Sequence, residues 1–343
     1  MAANIVTGLD LGAHSIKCVV LSHTGKLPKL VSLGSVASPQ PGLASDGDID
    51  LEAVGTSVEQ LLTSLKAPTD AVVISLPESK IFTRVVTDLP FLTDEELASA
   101  IKYSAEEFVP LPVDQVNLYW QVIDRQKQTN KTQVFVVASP KIVVNKYLKA
   151  LGKIQLKPWA METDLVAAAR ALVGSNELVP TTMVIQMGAS STDFAVISKG
   201  VILITRSIAT GGIALTRAIA QYLNFEILQA EEYKKVYGLI EDQLEGKIYQ
   251  AIKPLVDVLI SESSRVIQAF QAKNSDNPIK RVVLAGSGAK LPGLVGYFAN
   301  SIGLEVQEAD PWDGIEKDPS LVTKLASEAP SYTVAVGLAL RNE

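Results

Sequence analysis

The residues best placed to do chemistry lie in two short segments far apart in the chain. Leu9-Asp10-Leu11-Gly12-Ala13-His14-Ser15-Ile16-Lys17-Cys18-Val19-Val20 aligns without gaps against Ile185-Gln186-Met187-Gly188-Ala189-Ser190-Ser191-Thr192-Asp193-Phe194-Ala195-Val196. In each, apolar runs flank a glycine and small hydroxyl residues, the pattern of a strand, a tight turn and a second strand. Two such turns facing each other across a cleft would present backbone amides and hydroxyls to one shared anion, clamping a polyphosphate without a helix N-terminus. One hairpin alone reads as an ordinary β-turn, whereas the matched pair argues for internal duplication.

A third glycine turn follows in Val282-Val283-Leu284-Ala285-Gly286-Ser287-Gly288-Ala289-Lys290-Leu291-Pro292-Gly293, a strand opening into a loop and then a helix. Backbone approach to a base or ribose there needs the missing Cβ atoms at Gly286 and Gly288. The order of these parts resembles the actin, sugar-kinase and 70-kDa heat-shock chaperone superfamily. The first hairpin is similar to its phosphate-1 motif, the second to phosphate-2, and residues 282–293 to the adenosine motif. The stretch Asp164-Leu165-Val166-Ala167-Ala168-Ala169-Arg170-Ala171-Leu172 looks like the first interdomain connector, and Tyr332-Thr333-Val334-Ala335-Val336-Gly337-Leu338-Ala339-Leu340 like the second. The implied fold class is α/β, a duplicated actin-like (ribonuclease H-like) two-lobe fold.

Two further segments narrow the resemblance. Leu89-Pro90-Phe91-Leu92-Thr93-Asp94-Glu95-Glu96, continuing through Ala105-Glu106-Glu107-Phe108-Val109-Pro110-Leu111-Pro112, is similar to a block of the PilM family of type IV pilus assembly proteins, and Arg206-Ser207-Ile208-Ala209-Thr210-Gly211-Gly212 to its "GG" segment. That family shares with FtsA an inserted subdomain. FtsA ends in a membrane-binding amphipathic helix after a linker, and this chain, ending at Glu343, is expected to lack that anchor.

The resemblance implies ATP or ADP with Mg²⁺ as ligands. Nucleotide contacts would fall on Asp10, Gly12, Ser15 and Lys17, on Gly188, Ser190 and Ser191, and on Gly286 and Gly288. Gly211 and Gly212 would line the nucleotide side of the cleft, and Glu231 and Lys234 match a pair folded over the adenosine, although i,i+3 spacing also suits a solvated helix pair. The superfamily aspartate that helps hold the hydrated metal at the start of phosphate-2 is here Gln186, which can hydrogen-bond a metal-bound water but adds no negative charge. Asp10 is left as the clearest acid near the metal, and Asp164 stands where the superfamily places its water-orienting side chain. Nucleotide binding with weak or absent hydrolysis is therefore expected. The implied partner is the N-terminal cytoplasmic tail of a PilN-like inner-membrane protein, which would bring a cytoplasmic protein to the inner face of the membrane, with self-association left open. The rival readings are an active ATPase or sugar kinase, for which Asp193 is the only acid in phosphate-2, and an FtsA-like or type II secretion scaffold. His14 reads as a turn residue.

The elements that must position these residues alternate strand and helix. Residues 71–76 and 281–285 are short apolar runs suited to a sheet covered on both faces, while 164–173, 212–223 and 292–302 read as helices. Thr93-Asp94-Glu95-Glu96 is a capping box opening a helix over 94–109, which Pro110 ends. Strands at 116–123 and 132–138 and a helix over 140–151 complete an α+β insertion. Helices are expected over 227–236 and 241–272, with a turn-rich break at 273–278. The expected division is 1–83 with 156–178 and 331–343 as first lobe, 84–155 as partner-docking insertion, 179–223 with 279–330 as second lobe, and 224–278 as a helical subdomain over the nucleotide.

Bulk composition agrees with a folded two-lobe chain. The 343 residues exceed one ordinary core, and 47% hydrophobic with 20% charged residues lies far from the composition of disorder. A net charge of -6 without basic clusters argues against nucleic acid. The single cysteine, Cys18, in an apolar run, reads as a buried inert thiol. No signal peptide or membrane span is legible.

Overall fold

A computed structural model describes residues 4–174 and 179–341. Residues 175–178, where the first lobe is expected to give way to the second, lie outside the described residues, as does Glu343.

The apolar runs around the first glycine turn form β1 (Ile5–Leu11) and β2 (Ser15–Ser22), followed by β3 (Lys29–Ala37), helix α1 (Asp48–Leu65) and β4 (Val72–Leu76). Next come β5 (Phe82–Leu89), α2 (Asp94–Ala105), β6 (Val116–Gln126), β7 (Lys131–Pro140), α3 (Lys141–Gly152), β8 (Ala160–Thr163) and α4 (Asp164–Leu172). The second half contains β9 (Thr182–Met187), β10 (Thr192–Ser198), β11 (Val201–Ile208), α5 (Gly212–Leu223), α6 (Ile227–Tyr237), α7 (Lys247–Gln271), β12 (Arg281–Ala285), α8 (Leu294–Ile302) and β13 (Glu305–Glu308), and ends in α9 (Val322–Glu328) and α10 (Thr333–Ala339).

The duplication is explicit in the sheets. One runs β3-β2-β1-β4-β8 and the other β11-β10-β9-β12-β13, each an antiparallel meander extended by two parallel strands. Strands buried on both faces explain why β1, β4, β9 and β12 are mostly apolar rather than alternating. The fold is actin-like, as expected.

The two connector helices cross almost in contact. A Cβ on Gly337 of α10 would come within 1.9 Å of the Ala167 carbonyl oxygen of α4, so only glycine allows this approach. Beside the crossing, buried Glu162 accepts hydrogen bonds from Arg170 at 2.8 Å and Arg341 at 2.9 Å, and Arg170 also donates to the Gly337 carbonyl at 2.7 Å. Both connectors are thereby tied to one carboxylate.

The inserted block has three strands, in the order β5-β7-β6, because β5 joins the expected pair. Its capping box forms as expected, and α2 lays Leu97 and Ile101 on Val134 and Val136. The opposite face of β7 carries Phe135 and Val137 into the large core that packs on α1, β1 and β4 and reaches β9, β10 and β12. Helix α3 buries Tyr147, Ala150 and Leu151 in that same core with Leu51 and Val54 of α1, so it supports the first lobe as well as following the insertion.

Three expected helices start or stop elsewhere. α2 ends at Ala105, not at residue 109, because the chain tightens there into turns in which the Glu106, Glu107 and Phe108 amides donate to the Tyr103, Ser104 and Ala105 carbonyls. α8 begins at Leu294, after Gly293 with φ +79°. The helix expected over 241–272 begins only at Lys247. Leu244 and Glu245 take left-handed φ of 50° and 54° and Gly246 follows at 70°, breaking the ladder that Leu244 was expected to join.

Candidate functional site

Duplication sets two residues at equivalent places, Asp10 one residue before the end of β1 and Gln186 one residue before the end of β9. Their cross-strand partners differ. Asp10 faces Lys17, and Gln186 faces Asp193.

Asp10 is buried, with Lys17 Nζ 3.8 Å from Oδ2 and Ser75 Oγ donating to Oδ1 at 3.2 Å. Burial raises its pKa above the usual carboxylate range, against the opposing pull of Lys17 and Ser75. Lys17 Nζ also donates to Ser15 Oγ at 2.8 Å. In the second hairpin, Ser191 Oγ donates to Asp193 Oδ2 at 3.2 Å and Ser207 donates to its other oxygen; burial still pushes Asp193 up to about 6. Gln186 Oε1 is buried with no partner among the described residues.

Asp164 opens α4, whose Thr163 cap accepts from the Val166 amide. Its pKa stands well above the usual range because of burial and then the charges of Asp10, Asp193 and Glu78. Carboxyls from both hairpins therefore converge on the start of the first connector, which links the expected pair Asp10 and Asp164 with Asp193. Glu78 belongs to the same neighbourhood and was not singled out in the sequence. The available signal was its place directly after Leu76 and Pro77, at the carboxyl end of a parallel strand where α/β sheets present ligand-binding residues.

The glycines do several jobs. A Cβ on Gly12 would meet the Ser15 carbonyl oxygen at 2.8 Å, and one on Gly188 the Ser191 carbonyl oxygen at 3.1 Å, so both let their own turns close. At Gly286, with φ +82°, a Cβ would lie 2.4 Å from the Met187 carbonyl oxygen, and at Gly288 2.8 Å from Met187 Cβ. At both positions Met187 occupies the side a Cβ would take, so these glycines let the third turn dock against the second hairpin. Gly211 similarly abuts the Ala189 carbonyl, while the Gly212 and Ile213 amides donate to the Gly188 and Ala189 carbonyls at 3.0 Å each. The start of α5 is thus pinned to the second hairpin.

Glu231 and Lys234 form no solvated pair. Lys234 Nζ donates to Glu231 Oε2 at 2.6 Å, to Thr216 Oγ1 at 2.7 Å and to the Gly212 carbonyl at 3.1 Å, folding α6 onto the first turns of α5. Burial pushes Glu231 up, yet the hydrogen bonds from Lys234 and Thr216 and the charges of Lys234 and Lys235 hold it below its usual range. His14 and Ser190 are exposed at the two turn tips.

The donor set suits a hydrated cation better than a dehydrated one. Among the described residues no group of three or more His, Cys, Asp or Glu side chains is disposed to hold a metal ion directly. Mg²⁺ retains several waters in sites of this kind, and the Asp10 carboxylate with the unpartnered Gln186 Oε1 offers acceptors for such waters.

The model of the family described as type IV pilus assembly protein PilM matches residues 8–343. The chain belongs to the PilM family. A solved PilM-PilN type IV pilus biogenesis complex contains a chain 27% identical to it with a TM-score of 0.87, covering 100% of this chain and 99% of that one. The cell division protein FtsA of Enterococcus hirae is 23% identical over 342 residues, which cover 88% of this chain and 77% of that protein. MreB5 of Spiroplasma citri, solved bound to ADP, has a TM-score of 0.53 at 16% identity, covering 98% of this chain and 95% of that one. The PilM family assignment and the actin-like fold agree with the duplicated hairpins and paired connectors.

Proposed function

We propose that this PilM-family protein binds ATP or ADP with Mg²⁺ between its lobes and docks the N-terminal tail of a PilN-like membrane protein through its inserted subdomain. The observation that carries the nucleotide half is the pair of duplicated glycine turns, with Gln186 and buried Asp10 at equivalent strand ends beside them. A hydrated cation beside Asp10 would offset its buried negative charge, while the turns containing Gly12 and Gly188 would face the phosphates with backbone amides. Asp10 and, through water, Gln186 would hold hydrated Mg²⁺, Ser15, Lys17, Ser190 and Ser191 would meet the phosphates, and the Glu231–Lys234 pair would border the adenosine. With an amide at position 186, hydrolysis is slow.

The partner half is supported by the PilM-PilN complex to which the chain is similar and by the surface of the insertion. Tyr119 on edge strand β6 pairs with Val137, so it continues the sheet face whose Phe135 and Val137 pack on the first lobe, yet it is 65% exposed. An extended peptide lying along that exposed edge, with side-chain pockets for specificity, would recruit the protein to the membrane. No helix among the described residues is long and apolar enough to cross a membrane by itself.

Calorimetry with Mg²⁺-ATP, Mg²⁺-ADP and a synthetic PilN-like tail peptide tests both halves. Binding of nucleotide and of peptide is expected, with Tyr119→Ala weakening only the peptide. Point variants are preferable to removing residues 84–155, because that deletion also takes Tyr147, Ala150 and Leu151 out of the first-lobe core. No heat with either nucleotide, in a protein that still binds peptide, would rule out the nucleotide half.

A further inference from the structure

Glu78 is the most anomalous side chain outside the assigned nucleotide contacts. It sits in a short 3-10 turn after β4, only 4% exposed, and its Oε2 has no hydrogen-bond partner among the described residues. Its other oxygen, Oε1, accepts from Thr83 Oγ1 at 2.9 Å. Thr83 belongs to β5, at the root of the inserted sheet, and its hydroxyl is also hydrogen-bonded to that of Thr205 on β11 of the second lobe. Thr163, the cap of the first connector, and Thr205 both lie close enough to Glu78 to pull its pKa down against burial. Through Thr83, the Glu78 carboxyl is therefore linked to Thr205 of the second half of the chain.

We infer that Glu78, Thr83 and Thr205 form a proton-linked clasp between the lobes, closed when Glu78 is neutral and loosened when it ionises. A neutral carboxyl tolerates burial with a single oxygen engaged, whereas a carboxylate there leaves a charged oxygen without a donor, and buried unpaired charge is strongly unfavourable. The titratable neighbours make this worse. Asp193 of β10 and Asp164 of α4 are both acidic and electrostatically coupled to Glu78. The cations on the adjoining strands are committed elsewhere, Arg84 over the Phe108 ring and Arg206 to Glu262 at 2.7 Å. Burial is the largest cause that pushes Glu78 up to about 7, which puts the change within the range where cells work. Parting the lobes lets water reach the orphaned oxygen, so ionisation and opening favour each other through linkage.

Interlobe distance measured by electron spin resonance, with spin labels at exposed Lys26 and Lys273 and no nucleotide present, tests the clasp directly. The unmodified protein is expected to shift its distance distribution between about pH 6 and about pH 8, with a midpoint near 7. Glu78→Gln, which keeps shape and the acceptor for Thr83 but cannot ionise, is expected to hold one distribution across that range. Thr205→Val, which removes the second-lobe hydroxyl and leaves Glu78 titratable, is expected to show the high-pH distribution already at about pH 6. A distribution in the unmodified protein that ignores pH, a Glu78→Gln protein that retains the shift, or a Thr205→Val protein that matches the unmodified one would each overturn the inference. The readout requires no ligand, so failure of the nucleotide proposal would leave it standing.

Discussion

Lys17 Nζ stands 3.8 Å from Asp10 Oδ2 across the first hairpin, and both side chains are buried. The duplicated hairpin has no cation at the corresponding place, since Asp193 occupies it opposite Gln186. The two halves of the site are thus electrostatically unlike despite a shared backbone, with a compensated acid on one side and an amide beside an acid on the other.

Replacing Lys17 by Met should raise the Asp10 pKa further, because the largest opposing influence on that buried carboxyl is removed. A loss of about 1 to 3 kcal/mol in urea unfolding at neutral pH is expected, smaller in acid, where Asp10 is protonated anyway. Nucleotide affinity should fall in the same variant. A stability loss that is equal at all pH values would show that Lys17 acts by packing alone.

Gln186→Asp should make phosphate release from ATP faster if the missing carboxylate is what slows hydrolysis. The same change sets a carboxylate directly opposite Asp193, which should destabilise the Mg²⁺-free protein by roughly 1 kcal/mol. Added Mg²⁺ should restore that loss in a thermal melt. Rapid phosphate release by the unmodified protein would contradict the assignment of Gln186 as the limiting defect.

The glycine variants should differ in severity. Gly12→Val and Gly188→Val force a side chain against the carbonyls of Ser15 and Ser191 within the turn, so nucleotide binding should be lost with local rather than global damage. Gly337→Ala drives a methyl group into the Ala167 backbone where the connectors cross, and a destabilisation above about 4 kcal/mol is expected. Circular dichroism melts and nucleotide titrations on all three variants compare them. A stable Gly337→Ala protein would mean that the connectors can separate.

Glu78 sets the sign of one pH dependence of stability. Its folded pKa of about 7 exceeds the ordinary 4.5, so the folded protein holds a proton that the unfolded chain releases over that interval. The neutral form is present in both states below the lower value, and stability is lost as pH rises through the interval toward the upper one. Glu78→Gln should remove this loss and leave the protein more stable at about pH 8, by about 3 kcal/mol. Denaturant midpoints of both proteins from about pH 5 to about pH 8 provide the comparison. Parallel curves would refute the shift.

The sequence by itself determined the duplicated hairpins, the order of the motifs, the capped helix opened by Thr93 and the boundaries of α5, because each depends on residues adjacent in the chain. Glycine at the turns, alternation in the strands and the capping box act over a few residues, and such signals survive without knowledge of the fold. Tertiary structure alone decided what those glycines and acids touch. That Gly286 and Gly288 also let the third turn close on Met187 follows from β9 and β12 being neighbours in the sheet, which no local pattern shows. Leu244 fits a helical stripe, but the left-handed turn through Gly246 separates it from α7. Glu78 looks like any polar residue after a strand. Only the packing of β11 against its turn removes water from it and sets Thr83, Thr205, Asp164 and Asp193 around it, and a carboxyl's desolvation depends on that assembled environment.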